Sequence, residues 1–90
     1  MTQEQENNLQ KNLEKLISKT VTIKQDGFLK SKYSMQKFEF NITFEILNIT
    51  DENSTNYLNI NLNQIYKTEF NEENITLYLD NDTIIYIVNN

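Results

Sequence analysis

The ninety-residue chain contains no cysteine, histidine, tryptophan, proline, alanine or arginine, and its only glycine is Gly27. Each absence closes a route. Without cysteine there is neither a disulfide framework nor a thiolate metal site, which fits a reducing compartment. Without His, Cys and Arg, the usual general base, the best nucleophile and the common oxyanion or phosphate clamp are all missing. A single glycine cannot build a phosphate-cradling loop. Carboxylates, Lys, Ser, Thr and Tyr remain. Among them Glu39 and Glu45 share one strand face but lie about 20 Å apart, too far to act as a carboxylate pair. Asp80-Asn81-Asp82 offers the first ligands of a calcium loop without its turn-making Gly or distal Glu, and reads as a solvated turn. The expectation is a protein that is not an enzyme and has no cofactor and no metal.

Long apolar runs are also lacking. None approaches the roughly 20 residues of a membrane helix. The opening MTQEQENNLQKN is polar and acidic, unlike the basic start and apolar core of a signal peptide. A cytoplasmic setting in a bacterial host is therefore expected. Residues with A/T-rich codons are favoured, with fifteen Asn and eleven Ile. That usage points to a low-GC bacterium, or to a phage or mobile element living in one.

At 38% hydrophobic and 23% charged residues the chain reads as folded, and its length suits one small domain, residues 1–90. Its net charge of −5 is uneven. Residues 1–37 carry seven Lys against four acids, and residues 38–90 carry Lys67 against nine. An acidic C-terminal half is repelled by phosphate and attracted to basic surfaces.

Periodicity predicts a helix over Gln3–Lys19, with Leu9, Leu13, Leu16 and Ile17 on one stripe and a capping box from Thr2 and Gln5. From Thr20 the period becomes two. Thr20–Lys24 reads as a strand ending at an Asp26-Gly27 turn, where glycine tolerates positive φ. Residues 28–37 show no clean period and are either a basic exposed strand or a loop. In Phe38–Thr50 the apolar residues Phe38, Phe40, Ile42, Phe44 and Ile46 share one parity, and Leu47 and Ile49 take the other. A long strand bent at a bulge near Ile46-Leu47 would explain the switch. After a loop at 51–56, Tyr57–Ile65 alternates again. Ile75–Leu79 and Thr83–Val88 form a hairpin around Asp80-Asn81-Asp82. The last strand is apolar on both faces, which places it centrally, under the helix, or in an oligomer interface.

The fold class read from this pattern is mainly β (α+β). An N-terminal helix over 1–19 precedes a small, strongly bent five-stranded antiparallel sheet or barrel over 20–90. A helix, then five strands with a long bent second strand, resembles the Sm-like fold, and SH3-like barrels are similar in outline. The Sm-like resemblance implies RNA binding. Bacterial members carry a basic, His-containing segment near the end, where this chain reads YLDNDTIIYI.

Five Asn-x-Ser/Thr sequons, at Asn41, Asn48, Asn53, Asn74 and Asn81, follow from an Asn-rich chain in which alternating strands put Asn and Thr on one face. The leading expectation is an acidic protein-binding module that occludes a basic surface of a partner. A phage or mobile-element inhibitor of anti-CRISPR or other anti-defence type is its concrete form. The contact residues would be the acids Glu39, Glu45, Glu69, Glu72, Glu73, Asp80 and Asp82 and the outward amides Asn41, Asn59 and Asn61, joined by Asn63. Homo-oligomers would form through the last strand. The alternative is an RNA- or DNA-binding barrel using Lys24, Lys30, Lys32 and Lys37 with Phe28 and Tyr33. A third reading is an oligomeric barrel that binds a small molecule.

Overall fold

The computed structural model describes residues 1–52, 54 and 56–90. Among these residues one helix, α1 (Gln3–Glu14), precedes eight strands: β1 (Val21–Asp26), β2 (Ser31–Met35), β3 (Glu39–Thr43), β4 (Ile46–Thr50), β5 (Tyr57–Asn61), β6 (Ile65–Asn71), β7 (Asn74–Leu79) and β8 (Ile84–Asn89). The chain is mainly β with an N-terminal helix. The strands form two antiparallel sheets, a five-stranded one in the order β2-β1-β8-β7-β6 and a three-stranded one in the order β3-β4-β5.

The parity switch in residues 38–50 has a different cause from a bulge in one long strand. Phe44 and Glu45 both take left-handed backbone, φ 52° and 63°, and the chain reverses there. Two central residues at positive φ define the tight hairpin turn whose twist suits the flanking strands. Across it Ile42 faces Leu47 and Phe40 faces Ile49. A two-residue turn pairs residues of opposite parity, so an even apolar set on β3 meets an odd set on β4. The alternation therefore reports a hairpin. Tyr57–Ile65 is likewise divided, into β5, a 3₁₀ turn at Leu62–Gln64 and the start of β6. β6 escapes the period-two pattern because its register shifts between Ile65 and Lys67, resetting the faces after its first residue.

The helix is shorter than its apolar stripe. Thr2 caps it as expected: the Gln5 backbone N–H donates to Thr2 Oγ1 at 3.1 Å, and the Thr2 N–H donates to Gln5 Oε1 at 2.8 Å. Regular helix ends at Glu14, and Ser18 at φ 69° turns the chain toward β1. Leu9, Leu13 and Leu16 are fully buried, but this tighter tail leaves Ile17 43% exposed. The Ser18 N–H donates to the Phe38 carbonyl and the Phe38 N–H to the Lys19 carbonyl, both at 2.9 Å, tying the helix exit to the entry of the smaller sheet.

One interior serves all three layers. Leu9, Leu13 and Leu16 meet Val21 and Ile23 of β1, Ile85 and Ile87 of β8, Ile75 and Leu77 of β7, and Leu47, Ile49 and Ile60 of the smaller sheet. Phe38, the largest fully buried side chain, stands where the sheets join. β8 is the central strand, with β1 on one edge and β7 on the other, which accounts for its apolar residues on both faces. Both its edges are hydrogen-bonded, so self-association by adding a strand to β8 has no free edge to use. Residues 31–35 are an exposed edge strand.

Gly27 does not take positive φ. Space is what it supplies, since a Cβ there would stand 3.1 Å from Thr83 Oγ1 and 3.2 Å from the Asp82 carbonyl oxygen. Positive φ is instead carried by Ser18, Lys37, Phe44, Glu45, Ser54, Glu72 and Asp82, none of them glycine.

Two expectations test this packing. Leu13→Ala should lower stability by roughly 2–5 kcal/mol in denaturant unfolding, the range for a large buried aliphatic cut to Ala. Phe44→Asn should do the reverse, because Asn tolerates left-handed backbone and an exposed Phe loses little packing. A gain of about 1 kcal/mol, read as a higher unfolding midpoint, is expected.

Candidate functional site

The acids and amides singled out from the sequence do not form one surface. Glu73 is spent internally: Lys19 Nζ lies 2.8 Å from its carboxylate and Asn89 Nδ2 also donates to it. The Lys19 hydrogen bond, joined by the charges of Lys19 and Lys15 and the Asn89 contact, holds the Glu73 carboxyl below its ordinary range. Glu69, on the outer face of β6, accepts the Tyr78 hydroxyl, whose pKa that bond pushes up to about 12. Glu72 sits with Glu73 in the β6–β7 turn, at the end of the larger sheet where β8 finishes. Asp80 and Asp82 lie in the β7–β8 turn, at the opposite end.

The amide face exists and is organised differently from the expectation. β3 and β5 are not neighbours, because β4 lies between them, so the cross-strand row is Asn41, Asn48, Asn59. Asn48 Nδ2 donates to Asn41 Oδ1 at 2.9 Å. Asn61 is engaged locally, its side-chain oxygen accepting the Asn63 N–H at 2.9 Å. Asn63 Nδ2 donates to Glu45 Oε2 at 2.8 Å. Glu39 lies at the far end of this face, in a row with Thr50 and Tyr57. Asn53 lies outside the described residues.

The lysine patch is also dispersed. Lys30 reaches Asp26 at 3.7 Å and Lys37 reaches Glu52 at 2.9 Å. That Glu52 contact raises the Lys37 pKa. Tyr33 pairs with Ile23 on the inner face of the larger sheet, and burial raises its pKa. Lys24 and Lys32 remain, directly opposite each other on β1 and β2.

What the structure does bring together is a set of turns at one end. The Leu62 N–H donates to the Glu45 carbonyl at 2.9 Å, and the Asp80 N–H to the Gln64 carbonyl at 2.8 Å. Gly27 packs against Asp82 and Thr83. Turns 26–30, 44–45, 62–64 and 80–82 are thereby strung along a single end of the molecule. Phe28 is 98% exposed there, Leu29 71% and Phe44 94%. The same segments carry Asp26, Glu45, Asp80 and Asp82 against Lys30. Exposed apolar tips stand there among carboxylates, on turns carried by the sheet ends.

Sequence reasoning names Glu45, Asp80 and Asp82 for a protein contact and Phe28 only for the nucleic-acid alternative, and it leaves out Leu29 and Phe44. Phe44 shares parity with buried Phe38 and therefore looks like a core residue. Its signal was the phase change itself, which puts a reversal between Ile42 and Leu47.

Among the described residues no helix is long and apolar enough to cross a membrane. The Lys19–Glu73 pair supplies a pH expectation. A carboxyl with a depressed folded pKa stabilises the fold above its unfolded pKa, and that contribution fades as pH falls through the folded value. Thermal midpoints of wild type and Glu73→Gln should differ at neutral pH and converge on acidification. A gap that stays constant with pH would remove the ion pair as its cause. Comparison with protein-family models, curated proteins and solved structures finds no match to the chain.

Proposed function

We propose that the protein is a non-catalytic binding module that sets its turn-lined end against a basic, apolar-pocketed surface of another protein. The observation that carries this reading is Phe44. A bulky residue at positive φ is a genuine conformational outlier. Left-handed backbone costs about 1–2 kcal/mol for most residues, and Asn-Gly is the usual solution for this turn. The chain is rich in Asn and nevertheless places an aromatic there, 94% exposed and φ 52°. Strain held at an exposed position points to a use outside the fold.

Aromatic anchors that fill a partner's pocket dominate binding energy at protein interfaces, with charged rims steering approach. Phe44, Phe28 and Leu29 supply such anchors. Glu45, Asp80 and Asp82 supply the rim, and they fit a basic partner. Occlusion of the basic channel of a nucleic-acid-handling protein, by a phage or mobile-element inhibitor of anti-CRISPR or other anti-defence type, is the form of function that this size and charge suit.

The test is affinity capture from a low-GC bacterial host extract with quantified proteins, comparing wild-type bait with Phe44→Asn. The partner should be retained by wild type and lost by Phe44→Asn, although that variant is at least as stable. With the purified partner, Asp80→Lys combined with Asp82→Lys should slow association and flatten its salt dependence. Retention of the partner by Phe44→Asn would place the interface elsewhere.

A further inference from the structure

The outer face of the five-stranded sheet is a second surface, independent of the turn-lined end. Across it runs one row, Lys32, Lys24, Tyr86, Thr76, Glu69, each residue directly opposite the next on the adjacent strand. At its β6 end this face satisfies itself. Glu69 accepts from Tyr78, and Lys67 Nζ lies 5.0 Å from the Tyr78 ring centroid. At the β2 end it does not. Lys24 and Lys32 stand opposite each other, and among the described residues neither has a carboxylate partner. Asp26, next on the same face of β1, is taken by Lys30.

Like charges directly opposite on antiparallel strands destabilise a sheet. Lysine on an edge strand guards against unwanted pairing, which accounts for Lys32 on β2. It does not account for Lys24, because β1 lies inside the sheet between β2 and β8. Lys24 Nζ rests 5.5 Å from the Tyr86 ring centroid, a weak contact at an exposed site. Beside the pair is a shallow recess of about 350 Å³ lined by Thr22, Lys24, Lys32, Tyr86, Val88 and Asn90. Two lysines thus line one recess with an aromatic ring and an exposed valine.

We propose that this recess binds a free nucleoside phosphate, its phosphate between Lys24 and Lys32 and its base against Tyr86 and Val88. Phosphate draws Lys24 off the ring and frees the ring face for stacking. Paired lysines match the two charges of one terminal phosphate. A longer strand is disfavoured. Further phosphates along the row would meet Glu69 on a body of net charge −5, and the remaining outer-face lysine, Lys67, lies off that row over Tyr78. An acidic peptide would use the lysines and leave the ring and valine without a planar partner.

The test is an NMR titration of the isotope-labelled full chain. The probes are adenosine monophosphate, inorganic phosphate, adenosine, a short oligothymidylate and a glutamate-rich peptide. Saturable shifts at Thr22, Lys24, Lys32, Tyr86 and Val88 with adenosine monophosphate, stronger than with phosphate or adenosine alone, are expected. Lys24→Gln with Lys32→Gln removes a repulsive pair and should fold, while weakening binding about tenfold or more through loss of two charge-assisted contacts. Tyr86→Leu should weaken adenosine monophosphate selectively and leave the response to phosphate unchanged. No shifts with adenosine monophosphate, or equal shifts with phosphate alone, would overturn the proposal. So would shifts confined to the oligonucleotide or the peptide.

Discussion

The reversal at Phe44-Glu45 is the constraint on which the smaller sheet depends. Because exactly two residues span it, Phe40 and Ile42 share a face with Leu47 and Ile49. A slip of one residue would turn the whole apolar set of one strand to water. β5 then pairs with β4 through Leu47 opposite Ile60 and Ile49 opposite Leu58, so the third strand inherits the register set by this turn. Only with that face assembled can the smaller sheet close over Val21, Ile23, Ile85 and Ile87. The Glu45 carbonyl also accepts the Leu62 N–H, linking the same turn to the path into β6.

A chain with one glycine has to make its turns from other residues, and among the described residues seven of them take left-handed backbone. Polar residues such as Asp82, beside an Asn81 side chain that accepts the Thr83 N–H, adopt this geometry with local hydrogen-bond support. Phe44 has no comparable support. Stability given up at a residue that water surrounds is hard to attribute to folding, and it is the physical reason to look for a partner at this end.

Much of the architecture was legible in the residues. The capping box at Thr2 and Gln5, the stripe Leu9-Leu13-Leu16 and the hairpin around 80–82 follow from period and cap chemistry alone, whereas the strand apolar on both faces had three possible places, of which the structure takes the central one. The strand count did not follow. A hairpin without Gly reads as a single long strand, because its turn residues carry no turn signature. β6 was hidden by its bulge, and β2 by having Met35 as its one buried side chain. The charge asymmetry between the halves of the chain was read correctly as composition, but it does not map onto two surfaces. β1, from the basic half, pairs with β8 from the acidic one, and acids such as Glu73 are consumed by lysines from the first half. Site residues were the least legible part. Which acids are free, and which phenylalanine is outside, depends on partners distant in sequence.

The central claim is that the turn-lined end, and Phe44 in particular, is where a partner sits. Photo-crosslinking addresses it most directly. A benzophenone side chain replaces Phe44 in one protein and Tyr57 in another, Tyr57 being 68% exposed at the other end of the same smaller sheet. Each protein is irradiated in host extract and its adducts are identified by mass. One dominant protein adduct from position 44, absent from position 57, is the predicted result. Adducts from position 57 alone, or the same scatter of adducts from both, would contradict the account.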